Sequence, residues 1–172
     1  MLASPTDDGT LELIVRRPDV DRREVLDEGT LDVDGGLVGD NWRQRSSSRT
    51  DDGGPHPNMQ FNVINSRLLA LVSPDVERRP LVGDQLAVDL SLAPGDLPAW
   101  SRLCIGDAVI EVTDQPHTGC AKSTQRFGLD ARRFVNFEEG RALNLRGINT
   151  RVVVPGTIRR GDHITVERPP AT

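Results

Sequence analysis

The chain has 172 residues and a formal net charge of −5 at pH 7, with 3% aromatic residues and no tyrosine. This length predicts one domain with a core of aliphatic side chains, and the negative charge argues against a general nucleic-acid-binding protein. No apolar run approaches the roughly 20 residues that span a membrane, and the N-terminus lacks the pattern of a secretory signal. We therefore expect a cytoplasmic protein whose two cysteines, Cys104 and Cys120, are reduced thiols.

Short apolar and β-branched runs dominate the chain and predict strands. In chain order these runs are residues 11–15, 85–90, 108–113, 151–154 and 163–166. Five Gly-Asp pairs punctuate the chain, and such pairs are typical of turns because glycine adopts positive φ and aspartate bonds to the nearby backbone. Several short strands separated by turns predict a mainly β (α+β) fold built on a closed or nearly closed β-barrel.

Two or three short helices accompany the predicted strands. Residues 65–72 carry leucines at helical spacing, with Asn65 or Ser66 as the N-cap. Residues 130–136 predict a second helix that starts at Asp130 and turns Phe134 inward. The segment around Cys120 is a candidate first helical turn, whose backbone N–H groups would lower the pKa of the thiol.

One long polar segment, residues 43–57, has no core-forming pattern. Its serines, aspartates and glycines predict a loop that is mobile without a ligand. No second domain is indicated, so we expect a single domain over residues 9–168. The oligomeric state stays open at this point.

The most informative motif is residues 116–128, Pro-His-Thr-Gly-Cys-Ala-Lys-Ser-Thr-Gln-Arg-Phe-Gly. It places Cys120 in a glycine-containing turn after a predicted strand, with His117, Lys122 and Arg126 close in sequence. Nearby cations lower the pKa of a thiol and favour the thiolate, which is the nucleophilic and metal-binding form. Lys122 is also the only lysine in the chain. The alternative interpretation is a small structural cysteine in a turn.

The basic part of the chain is residues 117–151, which hold seven basic and three acidic side chains. A basic segment beside a candidate thiolate favours an anionic ligand, and phosphate is the obvious one. A solvated helix face is the alternative explanation, and it accounts best for Arg132 and Arg133.

A zinc site is the weaker alternative for His117 and Cys120. Structural zinc takes four cysteine or histidine ligands, and the spacing of the remaining candidates does not match a zinc motif. Those candidates are Cys104, His56 and His163. Cys104 is interpreted as a strand residue without a functional role.

The order of these motifs around one central cysteine resembles the MOSC family, named for the C-terminal domain of molybdenum cofactor sulfurases. The resemblance covers about residues 11–166. It is carried by residues 36–40, 80–86, 103–112, 117–120, 126–128, 146–148 and 156–162. It implies a MOSC-type β-barrel fold with two or three short helices, and it implies that Cys120 is the functional thiol.

The resemblance implies two roles for Cys120. As a metal ligand it would serve a protein that binds the molybdenum cofactor (molybdopterin) and reduces N-hydroxylated compounds, with electrons from an external electron-transfer protein. As a sulfur carrier it would accept a persulfide from a cysteine desulfurase. A non-catalytic cofactor-binding module is a third alternative. Full-length sulfurases carry a desulfurase domain with pyridoxal phosphate, for which this chain has no room, so pyridoxal phosphate is not expected.

Several residues around Cys120 receive predicted roles. His117 is a candidate catalytic residue that orients a cofactor oxygen or donates a proton, with a turn histidine satisfied by the backbone as the alternative. Asp40 and Asp84 are expected to hold turns at the rim of the site. The predicted cofactor-binding residues are Lys122, Arg126, Arg146, Asn149 and Arg151, with Asn58 and Gln60 as speculative contacts to a pterin edge.

Overall fold

The structure, a computed structural model, describes residues 3–118 and 121–170, without the side chains of residues 121–123. The strands in this part of the chain are β1 (Asp8–Arg16), β2 (Glu24–Leu26), β3 (Glu28–Asp32), β4 (Gly36–Leu37), β5 (Phe61–Asn65), β6 (Leu86–Asp89), β7 (Arg102–Ile105), β8 (Ala108–Val112), β9 (Ile148–Val154), β10 (Gly156–Arg159) and β11 (His163–Glu167). The α-helices are α1 (Ser66–Val72), α2 (Ala121–Asn136) and α3 (Glu138–Ala142). Short 3₁₀ segments cover Trp42–Gln44, Pro57–Met59 and Val76–Val82.

Seven strands close into a barrel. Around the barrel the order is β11, β7, β8, β9, β5, β6 and β1, and β1 returns to β11. In that closing pair, Gly9 lies opposite Ile164 in antiparallel register. The β5–β6 pair is parallel, with α1 in its connection, as a crossover between parallel strands requires. The strand β2 extends the sheet beside β1, and β10, β3 and β4 form a second small sheet. The predicted β-barrel is confirmed.

Aliphatic side chains fill the barrel, as the scarcity of aromatic residues predicts. Strand β1 alternates buried and exposed residues over its first half, as expected of a strand with one face on the core. A second apolar cluster packs α1 and α2 against the outside of the barrel. Its buried members are Ile64, Leu68, Leu69, Val82, Ala87, Val135 and Leu145.

Helix α1 begins as the sequence predicts. The side-chain oxygen of Asn65 accepts a hydrogen bond from the backbone N–H of Leu68 at 3.0 Å, which makes Asn65 the N-cap. Its amide nitrogen donates to the Ser4 hydroxyl at 2.9 Å and to the Leu90 carbonyl at 2.8 Å. The cap therefore also fixes the entry to α1 against two other segments.

Helix α2 joins two predicted helical segments. It starts at Ala121, next to the helical turn predicted around Cys120, breaks at Gly128, where φ is 86°, and continues through the helix predicted at residues 130–136. Phe134 was predicted to turn inward, and this is wrong: it is 38% exposed and stacks on Phe137 with ring centroids 5.9 Å apart. Val135 packs inward instead. Neighbouring helical positions differ by about 100° in direction, so a shift of one residue exchanges the buried and exposed side chains.

No helix in the described ranges is long and apolar enough to cross a membrane.

Candidate functional site

The connection from β8 to α2 carries the cysteine motif. The structure describes this connection as far as Thr118, and α2 begins at Ala121. Cys120 lies outside the described residues, and so does the side chain of Lys122, so the roles predicted for both stay predictions. The described residues that lie near this connection show what surrounds the motif.

Two adjoining pockets lie on one side of this connection. The central pocket, of about 250 Å³, is lined by residues that include His56, Asn62, His117 and Asn149. The arginine pocket, of about 400 Å³, is lined by residues that include Arg23 and Asn41. Both pockets share Arg17, Arg45 and Ser46 in their linings, so they form one continuous groove.

Arg17 is held where the two pockets meet. Its guanidinium donates to both carboxylate oxygens of Asp40, at 3.0 and 2.9 Å, and to the carbonyl of Gly83 at 3.2 Å. Asp40 also accepts from the backbone N–H groups of Arg17 and Trp42, each at 3.0 Å. Such a bidentate pair fixes the orientation of the guanidinium. As predicted, Asp40 is held in a turn, and the structure shows that it orients Arg17.

Arg23 brings further positive charge to the arginine pocket. Burial lowers the pKa of Arg23, and the charges of Arg126, Arg17 and Arg45 lower it further. Its Nε atom is buried, and no hydrogen-bond partner for it lies in the described part of the chain. A buried donor without a partner is costly unless a ligand or water accepts from it. Asp19 and Asp21 also line the pocket, and Asp21 pairs with Arg126. The three arginines of the lining outnumber these carboxylates, so the pocket is suited to an anion.

His117 is buried between charged neighbours. Its Nδ1 atom lies 3.5 Å from the carboxylate of Asp84 and makes no hydrogen bond within the described ranges. Burial lowers the pKa of His117 well below its usual value, and the charges of Arg146, Arg17 and Arg49 lower it further. The imidazole is therefore neutral at neutral pH, with one nitrogen that donates and one that accepts.

Arg146 and Asp84 form a buried pair next to His117. One guanidinium nitrogen of Arg146 donates to both Asp84 oxygens, at 2.8 and 2.6 Å, and another donates to the carbonyl of Val82 at 3.3 Å. Burial raises the pKa of Asp84, and the charge and hydrogen bonds of Arg146 oppose that rise. Arg146 was predicted to contact the cofactor, and in this structure its guanidinium neutralises Asp84.

Two buried amides support the same connection. Asn149 is fully buried; its oxygen accepts from the Asn62 side chain at 2.6 Å and its nitrogen donates to the Gln115 carbonyl at 3.0 Å. Asn149 thus lines the central pocket and also positions the segment before His117, and its predicted contact with a cofactor stays a prediction. Gln60, by contrast, bonds the backbone of Val33 and Val152 and serves the fold.

The two remaining predicted arginines lie in other clusters. Arg126 donates to the Leu81 carbonyl at 2.9 Å and pairs with Asp21 at 2.5 Å, so it fastens α2 to a loop of the arginine pocket. Arg151 pairs with Glu111 at 2.7 Å and also donates to the Asn58 side chain at 3.3 Å. These contacts place Arg151 at the β8–β9 surface rather than in the lining of the groove.

The polar loop predicted at residues 43–57 reaches the connection from the other side of the central pocket. Arg49 donates to the Pro116 carbonyl at 3.3 Å and approaches the Gln115 side chain at 3.5 Å. Within the loop, the Thr50 hydroxyl lies within hydrogen-bond distance of the carbonyls of Ser47 and Gly54, at 3.1 and 2.7 Å. The loop is therefore one wall of the pocket, and its mobility stays a prediction.

Sequence reasoning missed the arginines that line the groove. Arg17 and Arg23 flank the turn between β1 and β2, far from the cysteine motif in sequence, and Arg45 was assigned only to a polar loop. The signal available was two Arg-Arg pairs, at 16–17 and 22–23, next to the first strand. Only the closing of the barrel places them beside residue 117.

Known proteins match this chain through structure rather than sequence. No family model matches it, and no curated protein matches its sequence. The YuaD protein from Bacillus subtilis has a TM-score of 0.63 at 17% identity, with 92% of this chain and 95% of that chain covered. YiiM from Escherichia coli has a TM-score of 0.59 at 17% identity, with 95% and 72% covered. YiiM from Geobacillus stearothermophilus has a TM-score of 0.58 at 14% identity, with 93% and 75% covered.

This chain has a MOSC-like β-barrel fold. The β-barrel fold expected from the motif order is confirmed. At these identities the likeness establishes the fold alone. Function has to be argued from the site, because one fold serves many activities.

Proposed function

We propose that this protein binds the molybdenum cofactor in the groove formed by the central and arginine pockets, with Cys120 as the metal ligand. The observation that carries the proposal is the convergence of Arg17, Arg23 and Arg45 on one groove beside the connection to Cys120. The MOSC-like fold is consistent with association with this cofactor.

The groove has chemistry that suits each part of the cofactor. A terminal phosphate needs cationic donors, and Arg23 offers a buried Nε without a partner in the described chain. A pterin ring needs amide and imidazole groups along its edge, and His56 and Asn62 line the central pocket. A soft metal needs a thiolate, and Cys120 follows Thr118 by two residues. The residues present therefore fit the group.

The bound cofactor would supply two-electron chemistry at molybdenum. This suits the reduction of an N-hydroxylated compound, which takes up two electrons and two protons and releases water, with electrons from an external protein.

The chain itself would contribute binding, orientation and exclusion of water. Arg17, fixed by Asp40, would hold negative charge at a set place. His117 would act as a neutral hydrogen-bonding group, since its lowered pKa disfavours the charged imidazolium. The loop carrying Arg49 would cover the central pocket and keep water from it.

Metal content after co-expression with the cofactor pathway tests the proposal. Wild-type protein should retain molybdenum at near one atom per chain, and Cys120→Ser should lose it. Arg23→Gln should lower pterin content by roughly tenfold, about one charged hydrogen bond. Its matched control is Arg22→Gln, because the neighbouring Arg22 is 67% exposed and forms an exposed pair with Glu24. The control should retain the cofactor.

Three results would overturn the proposal or part of it. Absence of both molybdenum and pterin from wild-type protein would remove cofactor binding, and a mass gain of one sulfur atom at Cys120 would then identify a sulfur carrier. Equal loss of pterin from Arg22→Gln and Arg23→Gln would show that the arginine pocket has no specific role in binding the cofactor. Retained cofactor without turnover of N-hydroxylated compounds would leave a binding module and remove the reductase activity.

A further inference from the structure

A third pocket lies on the connection to Cys120, and it differs in character from the groove. We name it the Leu97 pocket, of about 230 Å³. Its apolar lining consists of Pro94, Leu97, Ala99, Val112, Pro116 and Ile148. Drug-sized ligands occupy pockets of roughly 300–1,000 Å³, so this pocket fits a smaller molecule with an apolar body.

His117 lines both the Leu97 pocket and the central pocket. The same connection thus presents one side to the cationic groove and another to an apolar cavity. Gly147, which also lines the Leu97 pocket, has φ of 101° and packs against Val63 and His117, so no side chain fits there. A ligand in the Leu97 pocket would therefore meet the imidazole directly.

The linings of the two sides differ in charge. The groove is lined by three arginines, Arg17, Arg23 and Arg45, and by Asp19 and Asp21, whereas no arginine or lysine lines the Leu97 pocket among the described residues. The charged side chain at the Leu97 pocket is the carboxylate of Asp114, which is exposed to solvent. A carboxylate repels anions and attracts cations. This cavity favours an uncharged or cationic ligand.

We propose that the Leu97 pocket is the subsite for a compact, uncharged or cationic molecule with an apolar body, which meets His117 in a lining without arginine or lysine among the described residues. Its identification as the substrate subsite rests on the proposed function. In that case the enzyme would accept small N-hydroxylated bases and reject N-hydroxylated compounds that carry a carboxylate. The cofactor phosphate and the substrate would then be separated by charge, on opposite sides of one connection.

Three probes of nearly the same shape test the charge selectivity: uncharged benzamidoxime, cationic benzamidine and anionic benzoate. Titration followed by methyl NMR should move the signals of Leu97, Val112 and Ile148 with the first two probes. Benzoate should bind roughly tenfold more weakly or not at all. Asp114→Asn should weaken benzamidine binding severalfold and hardly change benzamidoxime. The matched control is Asp107→Asn, because Asp107 is an exposed aspartate at the other end of β8.

Filling the cavity tests its position. Ala99→Leu should weaken benzamidoxime binding by roughly tenfold or more, since the added carbons occupy the space of the ligand. Ala93→Leu is the control, because Ala93 is also half-buried and lines a different cavity. Thermal unfolding of both variants checks that they are folded. If Ala99→Leu is unstable, Asp114→Asn still tests the pocket.

Equal binding of benzoate and benzamidine, or signals that move only at Leu68 and Ala93, would overturn the assignment of this pocket. These titrations use protein with or without molybdenum, so they do not depend on the cofactor. Probe binding in a protein that never takes up molybdenum would refute the proposed function and leave the ligand class standing. Normal benzamidoxime reduction by Ala99→Leu would refute the Leu97 pocket as the substrate subsite and leave the proposed function standing.

Discussion

Replacing Arg146 with methionine tests whether the buried pair with Asp84 holds the site together. Methionine keeps an apolar stem of similar length and removes the charge. The pair includes two short charge-assisted hydrogen bonds, at 2.8 and 2.6 Å, and such bonds contribute about 1.5–3 kcal/mol each. Removing one partner of a buried pair typically costs about 3–5 kcal/mol. We expect Arg146→Met to lower the free energy of unfolding by about that amount.

The variant should also change its dependence on pH. Without Arg146, only the charge of Arg17 and a backbone hydrogen bond oppose the burial that raises the pKa of Asp84. The folded variant then binds a proton more tightly than the unfolded chain, so its stability relative to wild type recovers as the pH falls. Asp84→Asn combined with Arg146→Met removes both charges of the pair, and the double variant should lose less unfolding free energy than the two single variants together.

Urea denaturation at several pH values measures these differences. The matched control is Arg159→Met, because Arg159 pairs with Glu28 at 2.8 Å while both side chains are more than half exposed. This control should change stability by less than about 1 kcal/mol. The reasoning would be refuted if Arg146→Met lost as little unfolding free energy as the Arg159→Met control. It would also be refuted if the loss in the double variant equalled the sum of the losses in the two single variants.

Three further outcomes are expected. Below pH 6.5, the ordinary histidine pKa, the unfolded chain takes up a proton that buried His117 does not, so stability falls with decreasing pH by at most about 1.4 kcal/mol per pH unit. His117→Asn should flatten this slope in urea titrations, and an unchanged slope would contradict the burial argument. Gly147→Ala should lower the unfolding midpoint more than Gly161→Ala: both sites have positive φ, but only the Cβ at Gly147 would overlap the Val63 carbonyl. Asn65→Ala should lower stability by about 1 kcal/mol or more through loss of the α1 cap, with faster amide exchange in the first turn.

The barrel was predictable in outline because apolar and β-branched runs are local in sequence: five of its seven strands overlap predicted runs, and β5 and β7 lie outside them. The β-branched run at 108–113 and the short run at 163–166 were found within one residue of β8 and β11. The cap of α1 follows from the hydrogen-bonding capacity of Asn65, which is also local. The inward face of α2 was not predictable, because Val135 and Phe134 are equally apolar and only packing on Val82 and its neighbours selects one.

The candidate site was also predictable only in part. A cysteine motif after a strand is visible in sequence, and so is a polar residue such as Asn149 next to it. Whether an arginine faces a ligand or neutralises a buried carboxylate depends on which side chain lies opposite it, and sequence does not record that. Arg146 and Arg17 are each paired with an aspartate, yet only Arg17 also lines the groove.

The pairing of β1 with β11 constrains how this protein folds. The strand that opens the barrel in chain order hydrogen-bonds to the strand that completes it, with Asp8 opposite Thr165. During synthesis, β1 has β2 and β6 as earlier partners, but the edge that pairs with β11 stays open until nearly the whole domain has emerged. Contacts between such distant segments carry a large loop-closure entropy and slow the folding rate. The exposed edge of β1 is in that interval a site where chaperones or other strands bind.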